Sequence, residues 1–169
     1  MAHLHQPPDR RPTSAAVYQR VPRDEAITRF PRNIGQEIDS WRERSEFLRV
    51  DARLAEARER LASMALLAPN WDSYGAEPPN ARSRALATCI LSLLQRQVLS
   101  PTRIVASAEG GVGIIFSDGE RYADIECLNS GEILTAIYSG QDTPLVQEIG
   151  SAAAELTAAI ERIRVHVAS

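Results

Sequence analysis

After Ser100-Pro101 the apolar residues of this chain stop recurring every three or four positions and begin to alternate. Four stretches fit strands, 102–107, 111–117, 121–128 and 132–139, and the separators Glu109-Gly110-Gly111, Asp118-Gly119 and Asn129-Ser130-Gly131 are all turn formers. Connections this short carry no crossover, so the strands run antiparallel in chain order as a four-stranded meander. Within 121–128, Ala123, Ile125 and Cys127 share one face, while Tyr122, Asp124 and Glu126 share the other. Such a sheet needs a cover on its apolar side only.

The cover comes from helices. Thr143-Pro144 reads as a cap followed by proline at the first helical position. It opens a stripe through Leu145, Ile149, Ala152, Leu156, Ile160, Ile163 and Val167. A second helix begins at Asn80 as cap, shows Leu86, Ile90, Leu93 and Leu94 on one face, and stops near Ser100-Pro101. Ahead of it, Ile34, Ile38, Trp41, Ser45, Leu48, Ala52 and Ala55 follow a four-three alternation that defines a long helix. After about Leu54 the stripe shifts to Leu54, Leu61 and Met64. The expected fold class is α+β: a long N-terminal helix over 34–68, a joint over 69–80, a second helix, the meander, and a C-terminal helix packed on the sheet. Residues 34–169 read as one domain, preceded by an arm over 1–33.

Composition excludes several chemistries. The chain has nineteen arginines and no lysine, which removes the phosphate-loop lysine, Schiff-base chemistry and a lysine general base. His3, His5 and His166 all lie near a terminus, so a buried nucleophile-histidine pair would have to recruit a chain end. Cys89 and Cys127 read as small buried hydrophobes, and no metal site or cofactor is expected. The acidic group Asp118, Glu120, Asp124 and Glu126 lacks a calcium-loop spacing and reads as a solvated face. Gly110, Gly111 and Gly113 sit in a hairpin without a following helix, as turn and strand glycines. No apolar run reaches membrane-spanning length, and the N-terminus has no secretion core, which implies a cytoplasmic protein.

Residues 1–67 carry twelve arginines against ten acids, and residues 101–169 four against ten. Seven acids between residues 37 and 59 oppose a phosphate-tracking role for Arg42 to Arg60, so nucleic acid is an unfavoured partner. The arm is interrupted by Pro7, Pro8, Pro12, Pro22 and Pro31 and holds single apolar residues between arginines. Tyr18, Ile27 and Phe30 in the arm, with Ile34, Ile38 and Trp41 on the first helix, are the candidate contacts to another protein.

The stretch "NWDSYGAEPPN", residues 70–80, gathers Trp71, Asp72, Tyr74, Gly75 and two prolines. As a joint, it uses Asp72 or Ser73 to accept backbone hydrogen bonds, Gly75 in a left-handed turn, and Trp71 and Tyr74 as rings laid on the core. As a site, it makes Trp71, Asp72 and Tyr74 a recognition loop, without the second group at defined spacing that catalysis requires. With "SPTRIVASAEGGVGIIFSDGERYADIEC" and "GEILTAIYSG", this stretch resembles small, largely uncharacterised bacterial and phage proteins with an Asn-Trp-Asp-Gly-Tyr-Gly-Ala-like motif. The resemblance covers roughly residues 60 to 140, with Ser73 where glycine is common and Phe116 in place of an expected tryptophan. It implies a domain assignment and no activity.

The functional expectation is a noncatalytic accessory or regulatory subunit, antitoxin- or immunity-like, that binds another protein through the arm and first helix. Two alternatives stay open: a small-ligand receptor or enzyme centred on Trp71, Asp72 and Tyr74, and a nucleic-acid regulator. Oligomeric state is not legible.

Overall fold

The computed structural model describes residues 34–140 and 143–168. Strands β1 (Arg103–Ser107), β2 (Gly111–Asp118), β3 (Arg121–Leu128) and β4 (Ile133–Ser139) form the expected antiparallel meander. A fifth strand, β5 (Leu145–Ile149), extends the sheet in the order β1-β2-β3-β4-β5, which corrects the four-stranded expectation. It also corrects the start of the last helix, α3, which spans Ala153–Ala168 rather than beginning at Thr143-Pro144. Leu145 and Ile149 fit a helical stripe, but they fit alternation equally well. Pairing decides between the two. The ladder Ile133↔Ile149, Thr135↔Gln147 and Ile137↔Leu145 satisfies the edge that β4 would otherwise leave open. Gly150-Ser151 then separates strand from helix, and Gly150 N–H donates to Glu155 Oε2 at 2.9 Å.

Register places one continuous apolar face on one side of the sheet. Ile104, Ile114, Ile125 and Thr135 form one row across it, and Val112, Cys127, Ile133 and Ile149 form another. All eight are buried. The helix α2 (Ala81–Arg96) covers this face with Ser83, Ala87, Ile90, Leu91 and Leu94, and α3 covers it with Leu156, Ala159, Ile160 and Ile163. Each fully buried Leu or Ile contributes on the order of 1.5–3 kcal/mol of transfer free energy. The buried stripe of α2 is thus rotated from the expected one, with Leu86 and Leu93 at its margin. Its C-terminus is earlier too, because Leu99 N–H bonds Leu94 C=O at 3.0 Å with Val98 in the left-handed region at φ 52°.

The first helix, α1, runs Ile34–Ser63 and is followed by a 3-10 turn at Met64–Leu66. Leu54, Ala57, Leu61 and Met64 join the core. Gln95 of α2 ties this half down, accepting from Arg58 Nη2 at 2.7 Å and donating to Asp51 Oδ1 at 2.8 Å. Residues 39–49, by contrast, are exposed on every face. Cys127 is buried, and burial pushes its thiol up to about 12, whereas Cys89 is exposed, contrary to expectation: it lies outside the buried stripe of α2. No helix among the described residues is long and apolar enough to cross a membrane.

The β1–β2 turn brings backbones into close approach. A Cβ at Gly111 would collide with the carbonyl oxygen of Cys127, while one at Gly119 would meet nothing within 4 Å. Gly111→Ala should therefore cost about 2–4 kcal/mol, and Gly119→Ala, at φ 57°, only about 1 kcal/mol. The comparison is read from urea midpoints at constant slope.

Candidate functional site

The 70–76 loop closes on itself. Asn70 N–H donates to Ala76 C=O at 2.9 Å, and Ser73 N–H donates to Asn70 C=O at 3.0 Å. Inside the loop, Asp72 Oδ1 accepts from the amides of Tyr74 at 2.9 Å and Ala76 at 3.0 Å, and Asn70 Oδ1 accepts from Gly75 N–H at 2.7 Å. Three departures from ordinary backbone make the turn possible: Asn70 at φ 62°, Ser73 at φ 66° and Gly75 at φ 97°. Asp72 is thereby engaged as a backbone acceptor. The Tyr74 amide, then the Ala76 amide, holds its carboxyl below the usual aspartate range.

The aromatic residues divide. Trp71 is half-buried, and its Nε1 is buried with no acceptor among the described residues. Tyr74 is 94% exposed, which corrects the expectation that its ring lies on the core. The loop is tight enough that Tyr74, between left-handed Ser73 and Gly75, is turned outward while Ala76 takes the buried place.

The anchor of the joint is a residue that sequence reasoning passed over. Asn129, in the β3–β4 turn, accepts at Oδ1 from Asn80 N–H (2.8 Å) and Ser83 Oγ (2.9 Å), and donates from Nδ2 to Pro78 C=O (3.0 Å). Its own backbone accepts from Asn80 Nδ2 at 3.0 Å and donates to Gly110 C=O at 2.9 Å. Asn80 is the expected cap of α2, with Oδ1 accepting from Arg82 N–H at 2.9 Å and Ser83 N–H at 3.0 Å. One residue, through its side chain and its backbone, thus joins two sheet turns to the entry of α2. From the sequence it looked like any turn-forming asparagine, because its partners lie roughly fifty positions earlier.

Elsewhere, Asp124 and Glu126 lie on the sheet face away from the helices. Burial, reinforced by the charge of Glu126, raises the Asp124 carboxyl, and Glu126 accepts from Ser107 Oγ. Among the described residues no three or more His, Cys, Asp or Glu side chains converge as a metal would require. An open groove of about 760 Å³ lies between α1 and β1, lined by Arg53, Arg60 and Arg103 among others, away from the 70–76 loop.

Of the expected partner contacts, Tyr18, Ile27 and Phe30 lie outside the described residues, as does the side chain of Ile34. Ile38 and Trp41 are exposed on α1, Trp41 at 65%, and the same helix exposes Leu48 at 61%, with Phe47 also exposed. Arg44 lies over the Trp41 ring, 5.5 Å from its centroid. No protein-family model, curated protein or solved structure matches the chain.

Asn129→Ala would leave the Asn80 amide, the Ser83 hydroxyl and the Pro78 carbonyl without their partner. It should lower stability by about 2–3 kcal/mol and accelerate amide exchange at the start of α2. For Asp72 the depressed folded value means that the native state binds the proton less readily than the unfolded chain. Its contribution is complete above about pH 5 and disappears as the pH falls through the folded value. Urea midpoints of wild type and Asp72→Asn should therefore differ most near neutrality and converge at acid pH.

Proposed function

We propose that this protein is a noncatalytic accessory or regulatory subunit, antitoxin- or immunity-like, that works by binding another protein, with α1 as the docking element. One observation carries the reading: Ile38, Trp41 and Leu48 are exposed in one row on the N-terminal half of a helix whose C-terminal half is already used by the core. Monomeric surfaces tolerate scattered apolar residues, but a large aromatic and two aliphatic residues in one helical row form a docking surface. The 70–76 loop favours the noncatalytic reading, because its one carboxylate is consumed by backbone amides. The resemblance to the Asn-Trp-Asp-Gly-Tyr-Gly-Ala-like proteins is part of the proposal. The positive φ at Ser73, where those proteins commonly have glycine, supports it.

A second reading is a recognition loop at 70–76, favoured by Trp71 Nε1, which has no acceptor among the described residues, and by the exposed Tyr74. The two are separated by recovering tagged protein from the cells that make it and quantifying what accompanies it. Trp41→Glu with Leu48→Glu should abolish the specific companion at unchanged melting temperature, while Tyr74→Ala leaves it. The opposite pattern would move the site to the loop, and loss in neither variant would overturn both readings.

A further inference from the structure

The helix α1 carries two apolar seams. Val50, Leu54, Ala57, Leu61 and Met64 follow a four-three alternation and pack into the core, Val50 at its margin. Ile38, Trp41, Ser45, Leu48, Ala52 and Ala55 follow the same alternation in a different phase. At 100° per residue the two seams stand roughly 170° apart around the helix. Ile38, Trp41, Ser45, Leu48, Ala52 and Ala55 are all exposed.

We propose that this outer seam pairs with the same seam of a second copy as an antiparallel two-helix coiled coil, so that the docking element of the proposed function acts first in self-association. Volume and charge both favour this orientation. The large Ile38 and Trp41 begin the seam and the small Ala52 and Ala55 end it, with Ser45 and Leu48 between them. Antiparallel pairing sets Trp41 against Ala52 of the second copy, Leu48 against Ser45, and Ile38 against Ala55. Every layer joins a large residue to a small one, which fills the space between two helices evenly. Parallel pairing would place Trp41 on Trp41 and Ala52 on Ala52, a bulge beside a void.

The flanking charges agree on the side of the seam nearest α2. Antiparallel pairing brings Arg44 beside Asp51 of the second copy, and the two-fold axis repeats the contact. Asp51 is already positioned there by Gln95. In a parallel pair, Arg44 would instead meet Arg49 and Asp51 would meet Glu56, both like-charged. On the other flank antiparallel pairing sets Arg42 opposite Arg49, with Glu46 one turn from each along the helix. The inner seam faces away from the pairing face, so each copy's body lies on the far side of its own helix. The contact is isologous and closes after two copies.

This inference rests on the proposed function, and its test keeps the two distinguishable. Full-length protein is sedimented over a concentration series up to about 200 μM, the weak end of specific association. A monomer–dimer equilibrium is expected, with Trp41→Glu raising the dissociation constant more than about 30-fold at unchanged melting temperature. Orientation is read in a Cys89→Ser background by mixing Ile38→Cys chains with Ala55→Cys chains. Disulfides between unlike variants are expected. Disulfides forming within each variant alone would show parallel pairing and overturn the proposal, as would a monomer at every concentration. If the monomer nonetheless loses its cellular companion on Trp41→Glu, the seam serves a foreign helix: self-pairing falls and the protein-binding reading stands. If the seam substitutions change neither property, both fall.

Discussion

The fold depends on the sheet having a single face that can be dry. Over 112–117 of β2 and 122–128 of β3 every second side chain is apolar and the residues between are Gly, Ser, Tyr, Asp or Glu, apart from Ile115 and Leu128. A sheet built this way accepts helices on one side only, and α2 and α3 both lie there. The connections follow from the same constraint. Tight hairpins keep neighbouring strands in register, so the inner positions of all the strands fall on one surface. The other face keeps Asp124, Glu126 and the stacked rings of Tyr122 and Tyr138, whose centroids are 5.3 Å apart.

With one face occupied by two helices, α1 is left with a margin. Its C-terminal half fits beside α2 and contributes Leu54, Leu61 and Met64. Its N-terminal half has no core to enter, yet it carries a regular apolar row. A helix gains little from such a row in water, and the conformational entropy of ordering those residues must be offset elsewhere. In the proposed docking role the partner supplies that offset, on α1 rather than at the aromatic loop.

The loop illustrates how conspicuous residues can be structural. In the sequence, the Asp72 carboxylate between the aromatics Trp71 and Tyr74 suggests chemistry. In the fold Asp72 closes a turn, Tyr74 faces solvent, and the cohesion comes from Asn129 instead. A carboxylate accepting two backbone amides is legible as a possibility from the Asp and the following Gly. A side-chain amide serving three partners across the fold is not, because hydrogen bonds between distant segments leave no periodic trace.

What the sequence determined by itself were the features set by local chemistry. They include four of the five strands to within a residue or so, the hairpins at the glycine turns, the Asn80 cap and the dry face of β3. Steric preference and side-chain alternation act over a few residues and are written in order along the chain. Tertiary structure alone decided the rest. It made 145–149 a strand, because the open edge of β4 outweighed a helical spacing. It rotated the stripe of α2 and chose which seam of α1 is buried. In each case two local patterns were nearly equivalent, and the choice fell to whichever partner could remove more apolar surface or more unpaired backbone from water.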